Sequence, residues 1–301
     1  DLYRSLGSEN GWLRDTCARL LLQRDDQDAA TLLVPLIANA KSEDRARLCA
    51  LRLFERTRAP GWFSPALLHD PSPELRRHTA RLLEPAQSAF FKSLASDPDP
   101  RVRFEVALRA LDKQVEIDAS VLATLVTGAK GDLWILRTVA VAAKQRGVLS
   151  EVVLAQESLA AAQALLQAAK AGTGDAKLRP LFAKAAEVAA DDSAPTDERK
   201  AALWFLGVDG STSAAALWEW VDDSDRALAG VAAEALAKRK PRGWEKEVFE
   251  RWKRMAPAMR ETFFSRMSAG AILSGVESGV LLPSEVSFQR KRSLLRDADA
   301  Q

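Results

Sequence analysis

The chain has 301 residues, 47% hydrophobic and 28% charged, the balance of a folded globular protein and not of a disordered or fibrous one. Its 43 Lys and Arg against 41 Asp and Glu leave a formal charge of +2, far from the strongly basic balance that binding to a phosphate backbone usually brings. The longest uncharged runs, Ala29 to Ala40 and Ser158 to Ala169, are 12 residues each, against the roughly 18 that a membrane-spanning helix needs.

The chain opens at Asp1 with no Met, basic n-region or apolar h-region, so a processed or excised segment of a longer protein is expected. The first predicted helix holds Leu13-Arg14 and Cys17, and a second covers Thr31 to Ala40. Cys17 and Cys49 lie 32 residues apart with no Cys-x-x-Cys or Cys/His cluster around either, which favours two free thiols over a structural disulfide. Next come two stretches that match at an offset of 27: Asp70-Pro71-Ser72-Pro73-Glu74-Leu75-Arg76 and Asp97-Pro98-Asp99-Pro100-Arg101-Val102-Arg103. Asp-Pro-x-Pro followed by an apolar residue and Arg starts a helix for physical reasons. The Asp can cap, which makes Asp70 and Asp97 candidate helix caps, and Pro costs no hydrogen bond in the first turn. The apolar residue then begins the buried stripe. Leu75, Thr79 and Leu83 correspond to Val102, Val106 and Ala110, a helical period with no strand alternation.

The apolar-then-basic pair recurs as Leu13-Arg14, Ala46-Arg47, Leu75-Arg76, Val102-Arg103, Leu136-Arg137 and Met259-Arg260, with degenerate members at Arg199-Lys200 and Leu228-Ala229. Intervals run from 27 to 34 residues apart from one of 63, inside which Ser158 to Lys170 supplies a degenerate unit, so the mean period is about 31. A second helix falls between these, as at Gln87 to Ala95, Ala119 to Thr127 and Lys177 to Ala190. Two helices in about 31 residues cannot bury an apolar face alone, and stacking the pairs buries it. An average domain size would divide the chain in two. The repeat instead predicts one all-α solenoid over 1–301, of about nine hairpins, with 255–301 as a terminal unit leading to a missing downstream domain and ending in a charged helix to Gln301.

The Asp-Pro-x-Pro-x-Val-Arg pattern resembles the HEAT class of α-solenoid in a short-period form; the tetratricopeptide consensus is not seen and armadillo repeats run longer. A narrower resemblance covers the order of motifs across nearly the whole chain. Asn10-Gly11-Trp12-Leu13-Arg14-Asp15-Thr16-Cys17-Ala18-Arg19-Leu20-Leu21, Asp132 to Arg137, Trp252 to Arg260 and Leu281 to Leu295 are similar to the HEAT-like region of planctomycete- and verrucomicrobia-type membrane-bound dehydrogenase and haem-binding proteins. The resemblance implies a sugar-dehydrogenase-like propeller upstream, a c-type cytochrome domain with haem c downstream, and a periplasmic or membrane-associated setting. It implies that this segment is a non-catalytic scaffold whose partners are neighbouring domains or other proteins. Cys-x-x-Cys-His is absent here, so the expectation for this segment is no cofactor, no metal and no catalytic residue.

The basic series Arg14, Arg47, Arg76, Arg103, Arg137, Lys200 and Arg260 has two readings. As a ladder it bonds carboxylates and carbonyls of adjacent turns and fixes the stacking. As an exposed row it holds phosphates, in the manner of solenoid DNA glycosylases, which is the alternative function; the charge balance argues against nucleic acid. His69 and His78 are nine residues apart, not the i, i+4 spacing of a helical metal pair, and a structural or surface role is the simpler reading. Asp25-Asp26, Asp191-Asp192 and Asp222-Asp223 read as caps and turns before they read as acid/base pairs. Five of the eight Trp lie in the last hundred residues, and Lys238-Arg239-Lys240-Pro241-Arg242-Gly243-Trp244 reads either as a ligand-binding basic and aromatic segment or as a Pro/Gly turn with Trp244 and Trp252 packed across it.

Overall fold

Helical periodicity and Pro- or Asp-led starts recur along the whole sequence, and a computed structural model of the chain is all-helical over its described residues, 2–23, 29–57, 64–208 and 213–286. Seventeen α-helices occur among them, with five short 3-10 stretches and no strand. The chain forms two compact units, 1–156 with 164–171, and 157–163 with 172–301.

The first unit contains α1 (Gly11–Gln23), α2 (Ala29–Ala38), α3 (Asp44–Thr57), α4 (Pro73–Leu82), α5 (Phe91–Leu94), α6 (Pro100–Arg109), α7 (Ala119–Ala129), α8 (Leu133–Arg146) and α9 (Leu149–Leu154). The helix α10 (Leu159–Ala168) is divided between the units. Along the first unit α3 packs on α4, α4 on α6 and α6 on α8, while α2 and α7 pair with α3 and α8. Alternate helices therefore lie side by side, the arrangement that stacked hairpins produce. The stripe residues hold the same depth in successive helices: Leu75 and Val102, Thr79 and Val106, and Leu83 and Ala110 are all buried. Cys17 is buried as well, and both cysteines are free.

In the second unit come α11 (Arg179–Ala190), α12 (Thr196–Val208), α13 (Ala214–Val221), α14 (Arg226–Arg239), α15 (Trp244–Arg251), α16 (Pro257–Phe264) and α17 (Ala269–Glu277). Here α11 packs on α12, α12 on α14 and α14 on α16, the same alternate pattern. Trp218, Trp244, Trp252, Phe263 and Phe264 fill its core, with Trp218 stacked on Phe263 at 5.5 Å between ring centroids. The segment before Trp244 is a turn: Lys240 and Gly243 take left-handed backbone (φ 48° and 79°), and Trp244 and Trp252 are both buried behind it.

Helix starts follow local chemistry. Pro73, Pro100 and Pro257 each occupy a first turn, where a missing N–H breaks no bond. Asp99, Asp132 and Asp225 are N-caps whose carboxylates accept first-turn backbone N–H groups. At two starts the serine that accepts a first-turn N–H is itself held by a distant glutamate. Ser158 accepts from Ala161 while Glu198 accepts from the Ser158 hydroxyl and the Leu159 N–H at α10, and Ser268 accepts from Ala271 while Glu245 accepts from the Ser268 N–H and hydroxyl at α17. The tail helices form at Pro257–Phe264 and Ala269–Glu277, whereas the charged final helix and the Asp25-Asp26 pair lie outside the described residues. Gln87 to Ala95 is not one α-helix but a 3-10 stretch, Pro85–Phe90, followed by the single turn of α5.

Candidate functional site

The repeated arginines build one recurring local device. Arg14, Arg76 and Arg103 each turn Nη1 back on the loop before their own helix, donating to carbonyls five and six residues earlier. Arg260 does so through Nε to Met255 and Nη2 to Lys253, both at 3.1 Å, and Arg47 donates Nε to the Ile37 carbonyl at 3.0 Å. Carbonyls of an irregular loop packed on a helix face lack ladder partners, and a guanidinium with five donors satisfies several at once.

Three of the five also reach forward along the chain: Arg260 Nη1 forms an ion pair with Glu285 at 3.6 Å, and Arg47 and Arg76 hydrogen-bond an aspartate of the next turn. Arg47, only 1% exposed, donates from both Nη atoms to the Asp70 carboxylate, itself 6% exposed, in a paired fork with one contact of 3.1 Å. Arg76 donates Nε to Asp97 Oδ2 at 2.7 Å and Nη2 to Oδ1 at 2.9 Å. That paired bond to Asp97 raises the guanidinium pKa above its ordinary value. Parallel forks of this kind fix orientation as well as charge.

The structure corrects the capping role expected of Asp70 and Asp97. The N-caps of α4 and α6 are Ser72 and Asp99, and Asp70 and Asp97 stand two residues earlier. Their carboxylates accept the N–H of those N-cap residues, at 2.9 Å in both cases, while bonding Arg47 and Arg76. The motif therefore makes the turn into an acceptor for the preceding helix pair. A cap position bonds N2 or N3 donors, and these oxygens lie too far upstream for that.

Two members of the series stand outside the device. Arg137 is exposed and forms no hydrogen bond or ion pair among the described residues, and Lys200 pairs only with Asp197 one turn away, at 3.2 Å. A second set of basic residues, not singled out from the sequence, does parallel work at helix C-termini. Arg109 donates to the Leu83 carbonyl at 2.9 Å, and Arg146 donates to Ala110, Asp112 and Val115 at 2.7 to 2.9 Å. A cation in the last turn of a helix was the available signal, but such a residue is usually read as facing the helix dipole.

The histidines do not meet. His78 is buried, with Nε2 3.3 Å from Arg52 Nη2, whereas His69 ends a 3-10 stretch. Burial, and then the charges of Arg52 and Arg77, hold the His78 pKa below 6.5. In the folded chain His78 is thus neutral where an unfolded histidine begins to take up a proton. Stability is expected to be flat above pH 6.5 and to fall as pH drops below it, because the unfolded state binds the proton first. Melting midpoints of the parent chain and His78→Phe between pH 7.5 and 5 check this; equal slopes for the two would refute it.

Among the described residues no group of three or more His, Cys, Asp and Glu side chains is placed to hold a metal ion, and no helix is long and apolar enough to cross a membrane. Asp191 bonds the Ser193 N–H and hydroxyl, Asp222 bonds Arg251, and Asp223 accepts the Asp225 N–H. These acidic pairs sit in turns with structural partners. No protein-family model and no curated protein matches the chain.

Proposed function

We propose that the chain is a HEAT-type solenoid of about nine hairpins with a period of about 31 residues, acting as a non-catalytic scaffold in a larger dehydrogenase and cytochrome c protein. In this reading it holds a propeller-type dehydrogenase domain near a haem-bearing domain, in a periplasmic or membrane-associated setting, and its partners are those domains or other proteins. The observation that supports the scaffold part is that Arg47 and Arg76 direct paired donors at the aspartate of the next turn, which ties successive helices together. The parent assignment is supported by the motif order from Asn10 to Leu295. Covalent haem attachment does not fit the residues of this segment, which has no Cys-x-x-Cys-His and carries Cys17 buried in a helix.

The complete reading frame, expressed in a host that matures c-type cytochromes, tests the parent assignment by haem staining. Haem on the full protein and none on this segment is the expected result. A reading frame with neither a propeller nor a Cys-x-x-Cys-His overturns it. Titration with a labelled DNA duplex at about 50 mM salt is expected to give no saturable binding, since Arg47 and Arg76 are already engaged. Micromolar binding with a steep salt slope would replace the scaffold reading with the nucleic-acid one.

A further inference from the structure

Arg76 uses two edges of its guanidinium: Nη1 on the Asp70 and Pro71 carbonyls, and the Nε and Nη2 edge on the Asp97 carboxylate. Arg103, one repeat on, reproduces the first edge, with Nη1 at 2.6 Å from the Asp97 carbonyl and 3.0 Å from that of Pro98. Its second edge has no hydrogen-bond partner among the described residues, and Nε is screened from solvent. A buried guanidinium donor without an acceptor costs about 1–3 kcal/mol, more when charged, so the unfilled edge calls for an explanation.

The register supplies one. Asp70 and Asp97 stand two residues before the N-caps of α4 and α6. The N-cap of α8 is Asp132, and two residues before it is Lys130, in left-handed backbone with φ 47°. An ammonium thus occupies the register position where the two preceding turns place the carboxylate. Arg103 and Lys130 line one cleft of about 760 Å³ together with Thr124 and Thr127. The carboxylate in its lining, Asp97, is already bonded to Arg76 and to the Asp99 N–H. Gly128 lets α7 pack closely on the Arg103 side chain and cover Nε: a Cβ there would crowd Cδ at 3.3 Å and touch Nε at 3.5 Å. A second cleft of about 700 Å³ shares Ser96 and Thr124 with the first and adds Lys92 with the apolar Pro65, Leu68 and Phe90.

We propose that the Arg103 and Lys130 cleft binds a carboxylate presented by an acidic polypeptide segment, held between the Lys130 ammonium and Arg103 Nη2, the outer of the two donors that Asp97 accepts on Arg76. Two cations meet one committed acid, so the site attracts an anion, and the guanidinium donor suits a carboxylate. The adjoining apolar walls fit flanking side chains of a peptide, which a small free acid would leave uncovered. The inference deepens the scaffold reading by naming a contact point and rests on that reading for a polypeptide partner. Its test is separate, because the haem-staining result does not depend on this cleft.

The full chain, ¹⁵N-labelled, is titrated with a short peptide of alternating Glu and Leu and, separately, with glutarate, while the arginine Nε–H signals are followed by NMR. The Arg103 signal, identified by its loss in Arg103→Gln, is expected to shift with both probes, and the peptide to bind at least about tenfold more tightly. Lys130→Asp supplies the missing carboxylate in cis, and Asp is among the residues that tolerate left-handed backbone. That variant is expected to move the Arg103 signal without ligand, raise the melting midpoint and abolish the response to both probes. No shift with either probe overturns the site, as does binding left unchanged by Arg103→Gln and Lys130→Asp together. A glutarate response without tighter peptide binding overturns the polypeptide partner.

Discussion

Asp70→Ala is expected to destabilise the first unit by about 3–5 kcal/mol, because it leaves the buried Arg47 guanidinium without its counter-ion. The loss has two parts. Arg47 keeps Nε on the Ile37 carbonyl and retains only a distant contact, 3.7 Å, with the exposed Asp44, while the Ser72 N–H loses its acceptor at the same time. Asp70→Asn separates the parts: the amide oxygen still accepts from Ser72, so a smaller cost isolates the charge. Urea denaturation gives the total, and hydrogen exchange over residues 65–83 locates it. Arg47→Met alone leaves the buried carboxylate unpaired and is expected to cost a similar amount. The double variant is expected to cost less than the sum of the two, since the second change removes the charge stranded by the first. Additive losses would mean that Arg47 and Asp70 act separately.

Gly207→Ala is expected to destabilise the second unit by about 2–3 kcal/mol, the upper part of the range for overpacking. Gly207 is buried on α12 where that helix crosses α14, and a Cβ on it would lie 2.2 Å from Ala235 Cβ and 3.3 Å from Ala235 Cα. Neither methyl can rotate away, so the two helix backbones must separate. In an isolated helix the same change would be favourable by about 1 kcal/mol, which makes the sign of the effect diagnostic of the crossing. Adding Ala235→Gly to Gly207→Ala restores the space and is expected to recover most of the loss. Tryptophan fluorescence reports on it, because Trp204, Trp218, Trp220, Trp244 and Trp252 all lie in this unit. A stabilised Gly207→Ala would show that the helices cross farther apart.

Much of the helical architecture is legible without coordinates. Stripe positions such as Leu75 and Val102 repeat with the helical period, and first-turn Pro and N-cap Asp mark the starts, because these effects act within one or two turns of chain. The 3-10 stretch over Pro85–Phe90 was not legible, since Pro-Ala-Gln-Ser-Ala-Phe is compatible with either helix type and so short a stretch carries no side-chain period that would tell them apart. The Arg series was visible as a pattern, but its members are unequal: Arg47 and Arg76 are forked to aspartates, Arg103 is half-satisfied, and Arg137 and Lys200 take no part.

By itself, the sequence determined the all-helical class, the depth of the stripe residues and the presence of a basic residue at a repeated helical position. Those follow from side-chain periodicity and from capping, which are local. The tertiary structure decided which carbonyl or carboxylate each guanidinium meets, because the partner lies on another turn of chain, 23 residues on for Arg47 and 21 for Arg76. It also moved Asp70 and Asp97 from caps to acceptors and set Lys130 in register with them, leaving one edge of Arg103 unfilled. The physical reason is that register between stacked helices depends on packing across the whole face, and a fork of two hydrogen bonds forms only where that packing brings donor and acceptor to within about 3 Å.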